Sequence, residues 1–306
     1  MSSLPNRSSM PASGARADTR QSLVSTVVAC TFACIGLSVL DPLRVVSDLG
    51  HDPLRSVGLL IPPVSLWLAC RQWTWRDWQD GGSWWGLGLV ACAFVLSILR
   101  MQMTHARLMY GEVMLPITLV PLGVLLCLYC SGAVLLFGGG TAWSKARFPL
   151  LLLLLVNPVP QAFQNLVDLP LQSIAAEVTR NFAHALKVPV DGDALTMMFS
   201  PQLGIFIAPG CDGMRGATTL GLLALVSGHL CRLPWQRWLV FVICSVLLAY
   251  LLNLMRLCGV IVYYWLVLHF PQLRADGATV DYFIGGTLFF LAAVFLVRVP
   301  RLGLKP

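Results

Sequence analysis

Long apolar runs broken by short polar stretches set the pattern of this chain. They fall at 22–40, 56–70, 84–99, 113–138, 148–167, 211–231, 237–256 and 282–298. Most approach or reach the roughly 17–25 residues needed to cross ~30 Å of hydrocarbon as a helix. No period-two alternation runs through them, which argues against a transmembrane barrel. Backbone groups in lipid must be satisfied within their own segment, which leaves helices. The expected fold is all-α: a polytopic membrane helix bundle of about 8 transmembrane helices with a small extracytoplasmic loop region. The second run is short and contains Pro62-Pro63, so it is expected to be kinked or partly interfacial. Trp73, Trp75, Trp78, Trp84 and Trp85 are expected to form an interfacial belt.

Two stretches stand outside this pattern. The first, 168–210, is expected to hold an amphipathic helix over Leu171 to Leu186, a turn through Val188 to Asp193, and one or two short strands ending in Leu203 to Ile207. The second is 257–280. Its apolar part, Leu257 to Phe270, is too short for an upright span. It reads either as a half-helix dipping into the outer leaflet or as an extension of the preceding helix.

Composition agrees with a membrane protein. The 306 residues are 57% hydrophobic and 11% charged, against about 25% charged in a soluble domain. The +7 net charge is spread over loop ends with no basic cluster and no aromatic interleaving, so no nucleic-acid partner is expected. It follows the positive-inside rule. With the N-terminus in the cytoplasm, the cytoplasmic set is Arg7, Arg16, Arg20, Arg71, Arg76, Lys145, Arg147, Arg232, Arg237, Arg298, Arg301 and Lys305, against the acids Asp18, Asp77 and Asp80. The other side holds nine basic and eleven acidic residues. Eight spans put both ends on one side, so both termini are expected in the cytoplasm. Residues 1–21 read as a disordered tail, 22–144 as amino-terminal spans, 145–298 as the region carrying the chemistry, and 299–306 as a second tail.

Nine of the ten cysteines look like small packing residues. Cys127-x-x-Cys130 has metal or redox spacing but sits mid-span without His or acidic partners, so no metal and no cofactor are expected. Cys211 differs. It lies in Ala208-Pro209-Gly210-Cys211-Asp212-Gly213-Met214-Arg215, at the mouth of an apolar run. A thiolate at a helix N-terminus is favoured by unpaired N–H groups and the helix dipole. With the topology above, Asn253 and Arg256 share one face of the next span and reach the same outer boundary. An arginine so close to hydrocarbon needs a partner or a wet cavity. It would face a thiolate or an oxyanion, or else snorkel or pair with Asp281. Of the histidines (51, 105, 184, 229 and 269), His269 is the one expected to approach Arg256.

Several of these segments resemble the exosortase/archaeosortase family. They are Arg147-Phe148-Pro149, Asn157-Pro158-Val159-Pro160, Leu169-Pro170-Leu171-Gln172-Ser173, Gly192-Asp193, the Cys211 block and Asn253-x-x-Arg256. The resemblance covers about residues 145–298. It implies a membrane cysteine peptidase or transpeptidase acting on proteins with a C-terminal motif, a transmembrane helix and a basic tail. That is the PEP-CTERM type of sorting, often associated with exopolysaccharide synthesis. By position, Cys211 would be the acyl-thioester nucleophile and Arg256 its cationic partner. Asn253, Gly213, Asp212 and Arg215 would support substrate and oxyanion. The chain departs from the family where many members have Asp-His: here it reads Asp281-Tyr282. Tyr282 is a poor base at neutral pH, its pKa near ~10, so His269 or Tyr282 is expected to take the role.

Two rival readings follow from the same residues. A small-solute transporter is disfavoured by the scarcity of acids inside the spans and by the lack of an inverted repeat. A non-catalytic scaffold in polysaccharide export draws support from the Tyr282 departure.

Overall fold

A computed structural model describes residues 56–78, 82–103, 107–110, 113–116, 120–156, 161–193, 195–200, 203–207, 213–270 and 277–302, with isolated positions before residue 51. Among them are seven α-helices: α1 (Ile61–Gln72), α2 (Trp85–Met103), α3 (Leu122–Leu152), α4 (Gln161–Ala185), α5 (Met214–Leu230), α6 (Trp235–His269) and α7 (Gly277–Leu302). Two antiparallel hairpins join them, β1 (Arg107–Tyr110) with β2 (Val113–Pro116) and β3 (Thr196–Ser200) with β4 (Leu203–Phe206). The protein is a multi-pass helical membrane protein. Four segments are long and apolar enough to span: Trp85–Gln102, Leu122–Val156, Trp235–His269 and Thr279–Val299.

That number falls short of the eight expected, and part of the difference has a geometric cause. The second of these segments, Leu122–Val156, doubles back. Gly139 has φ 70° and ψ −167° inside α3, a conformation open to glycine. A Cβ on Gly123 would come within 2.6 Å of the Leu153 and Leu154 carbonyl oxygens. In a straight helix those residues would stand about 45 Å apart. The two arms of α3 are therefore antiparallel neighbours; the first overlaps the expected run 113–138, and the second covers only the start of 148–167, the rest of which falls at 157–160, outside the described residues, and in α4. The loop expected between them is a turn at Gly139 inside Gly138-Gly139-Gly140. Expected run 22–40 and tail 1–21 lie outside the described stretches, apart from the isolated positions Val28 and Gly36.

Other boundaries also move. Val113–Pro116 form a strand, and the helix waits for Pro121, whose fixed φ suits the cap. Trp73 donates from its indole to the Ala142 carbonyl at 3.0 Å, and Trp78 packs edge-on to it. These two tryptophans hold the α3 turn, whereas Trp84 and Trp85 are exposed as a belt requires.

α5 and α6 lie antiparallel in close register. Gly216 faces Ala249, and Gly221 faces Val246. Small residues let the backbones approach, and close packing drives helix association in lipid. α7 closes the group through Ala292 and Leu296, packed with Leu220 and Ala249.

Segment 257–270 takes the second of its two expected forms, an extension of the preceding helix. α6 runs unbroken for 35 residues, about 52 Å, some 20 Å more than the hydrocarbon needs. Its outer turns carry a small cap. Ile261 is buried with Ala176 and Ala183 of α4 and with Met197, Phe199 and Ile207 of the β3–β4 region, and Tyr264, Trp265 and Leu268 pack around them. The apolar character of Leu257 to Phe270 thus serves a protein core. The expected amphipathic helix and strands of the outer loop are present as α4, β3 and β4, with α4 starting earlier than expected.

Candidate active site

Arg256 lies 21 residues along α6 from Trp235, about 32 Å by helical rise. That places it at the far boundary of a ~30 Å hydrocarbon layer, where α6 leaves the membrane for the cap. Its guanidinium is held by Asp281 of α7. Nε donates to Oδ1 and Nη2 to Oδ2, each at 2.7 Å. Planar forks of this kind are the stronger, geometrically specific charge pairs. The side chains retain 23% and 29% exposure, so the pair is only partly desolvated. Gly285, one turn beyond Asp281, makes the approach possible: a Cβ there would sit 3.1 Å from Arg256 Cδ. Of the alternatives open for Arg256 in the sequence, pairing with Asp281 is the one realised.

Asn253 is one turn earlier on α6 and only 8% exposed. It meets Gly213, the N-cap of α5. Gly213 is buried, with φ 87° and ψ −5°. A Cβ on it would lie 3.2 Å from Asn253 Cβ and 3.3 Å from both Asn253 Nδ2 and Tyr250 Cδ2. The backbone conformation and the space both call for glycine. Tyr250 ties the same level to α4, its hydroxyl donating to the Leu171 carbonyl at 3.4 Å. The helix expected to open at residue 211 opens at Met214, behind this glycine.

The remaining expected site residues fall in different places. Cys211 and Asp212 lie outside the described residues. Arg215 is exposed on the first turn of α5, its carbonyl accepting from Thr218 and Thr219. Tyr282 follows Asp281 directly and is 79% exposed. His269 does not approach Arg256. It ends α6 thirteen residues further on, about 20 Å by helical rise, with Nδ1 2.9 Å from the Trp265 carbonyl. The expectation left 257–270 open between a half-helix and an extension of α6, and in the extension His269 is carried away from Arg256. Gly285 and Tyr250 were not among the expected site residues, and Asp281 was expected only as an alternative partner of Arg256 and as part of the Asp281-Tyr282 departure.

No group of three His, Cys, Asp or Glu side chains among the described residues is arranged to hold a metal. Cys127 and Cys130 pack within α3, and Cys127 Sγ is 4.0 Å from Ser131 Oγ.

The family model for transmembrane exosortases matches residues 49–298. The chain belongs to the transmembrane exosortase family. No curated protein and no solved structure matches it. The exosortase match begins at residue 49, well before the 145–298 region in which the motifs were recognised. It therefore takes in α1, α2 and the first arm of α3 together with α4 to α7.

Proposed function

We propose that this exosortase is a membrane-embedded cysteine peptidase or transpeptidase that cleaves C-terminal sorting signals of exported proteins at the outer face of the bacterial inner membrane. Cys211 is the nucleophile in this reading. Its thiolate attacks the scissile carbonyl carbon, and the negative charge moves to the carbonyl oxygen. The C–N bond then breaks, and the departing amine takes the proton given up by the thiol. The resulting thioester is released to water or to an acceptor amine. Arg256 stabilises the oxyanion, and Asn253 holds the Gly213 turn and supplies amide hydrogen bonds. Asp212 and Arg215 flank the nucleophile. Tyr282, beside Asp281, hydrogen-bonds the substrate. His269 takes no part in proton transfer. Substrates of the PEP-CTERM kind place their motif at this boundary and their basic tail in the cytoplasm.

The observation that carries the reading is the anchoring of the Cys211 loop at both ends along α6. Ile207 is buried with Ile261, and Gly213 is set against Asn253. Those α6 positions are about 12 Å apart, and Arg256 lies between them. Residues 208–212 connect the two anchors, and Cys211 is two residues from Gly213, within ~7.6 Å between Cα atoms. Chain connectivity therefore supports a thiol at the level of the guanidinium. The test is to replace Cys211 by Ala or Ser and follow the size of a co-expressed reporter carrying the motif, helix and basic tail. Loss of processing is expected, and unchanged processing rejects the reading. The Arg256–Asp281 pair also suits a scaffold without turnover, which would tolerate both substitutions.

A further inference from the structure

We infer that Asp281 is a positioning residue of the exosortase site, fixing the Arg256 guanidinium in the plane and at the height the reaction requires. The inference rests on the role given to Arg256 above. Three observations carry it. The pair is bidentate through Nε and Nη2 at 2.7 Å each. That holds the planar fork against α7 in one orientation. Gly285 gives the arginine stem its place against α7, since any side chain there would press on Cδ. Asp281 also joins two helices, α6 and α7, so it locates the guanidinium relative to the whole bundle.

An arginine on three methylenes, left without this partner, would sample many rotamers and lean toward headgroups or water. Oxyanion stabilisation depends on donors already in place when charge develops. Asp281 also offsets the positive charge that Arg256 presents. The pair is therefore suited to directed hydrogen bonding more than to lowering the pKa of a thiol through net charge. This separates two measurable quantities: the chemical reactivity of Cys211 and the rate of processing.

The experiment compares the full-length protein in membranes as wild type, Asp281→Asn, Asp281→Glu and Arg256→Gln, with the Asp281→Asn/Arg256→Gln double variant. Reporter processing and alkylation of Cys211 by a membrane-impermeant maleimide are both followed. Asp281→Asn is expected to slow processing at least ~10-fold, and Asp281→Glu to recover part of the loss. Alkylation of Cys211 is expected to stay at least as fast as in wild type. The double variant is expected to process no more slowly than Arg256→Gln, since Asp281 acts through Arg256. Wild-type processing by Asp281→Asn overturns the inference. So does slowed alkylation in that variant, which would mean that the site had collapsed. If Cys211→Ala itself leaves processing intact, the underlying reading fails instead.

Discussion

Two acid–base pairs sit at opposite ends of the bundle, and they are built differently. At one end Arg256 and Asp281 face each other from two long helices, fork to fork. At the other end Lys145 Nζ donates to both Asp77 oxygens at 2.7 and 2.9 Å. Asp77 Oδ2 also accepts from the Thr74 N–H and hydroxyl, both at 2.8 Å. The Asp77 carboxylate is thus saturated by a local turn and a point-charge ammonium, and it clips the Trp75–Trp78 turn onto the second arm of α3. The Arg256–Asp281 pair has no local turn to serve. It stands one helical turn from Asn253, which packs on the left-handed glycine that opens α5. An ion pair by itself says little about function; the surroundings tell a latch from a working site.

The sharpest way to break this contrast is at Gly213. Gly213→Val adds a side chain at φ 87°, where about 1–2 kcal/mol of backbone strain is expected, and pushes it into Asn253 and Tyr250. Processing should fall below detection, while the α5–α6 packing at Gly216 and Gly221 keeps the bundle assembled. Normal processing by a folded Gly213→Val protein would remove the turn from the site. Next in size is Arg256→Lys. The charge remains but the fork is lost, and a drop of about 10- to 100-fold in processing is expected, in line with the loss of one oriented, charge-assisted donor. His269→Ala gives the corresponding comparison on the same helix. With its imidazole about 20 Å along α6 from Arg256, processing should remain within about 2-fold of wild type. A large loss would return His269 to the site.

Much of this arrangement was legible before any coordinates. The apolar runs that became α5, α6 and α7 were visible because hydrocarbon leaves little choice of composition. Arg256 was visible because a cation at that depth is costly. Three features were not legible, each for a physical reason. The apolar stretch Leu257 to Phe270 has the same composition whether it meets lipid or a protein core, so only the packing of Ile261 on α4 and the β3–β4 region decided it. Val113 to Pro116 continue an apolar run, and hydropathy does not mark where a strand gives way to a helix. Asn253 and Gly213 were both expected at the site, but the left-handed turn of Gly213 and its packing on Asn253 depend on contact between two helices, which spacing does not give. The Gly138-Gly139-Gly140 triplet did carry a signal for the α3 turn, since glycine tolerates the left-handed conformation found there.

The Lys145–Asp77 pair gives the smallest effect and the cleanest contrast, because it should alter stability without touching chemistry. Lys145, chiefly by its hydrogen bond, and then Thr74 hold the Asp77 carboxyl down at about 2, against an ordinary value of 3.8. A carboxylate depressed in the folded state contributes stability above its unfolded pKa and loses it as pH falls through the folded one. Asp77→Asn should therefore lower the thermal midpoint of the purified protein by a constant amount from about pH 7 to about pH 5. The difference from wild type should shrink below about pH 4 and be nearly gone at about pH 2. Reporter processing by the same variant should stay at the wild-type rate. Equal thermal midpoints at neutral pH would show that the clip contributes nothing. A processing defect as large as that of Arg256→Lys would mean that the two ends of the bundle are coupled, and the contrast between latch and working site would no longer hold.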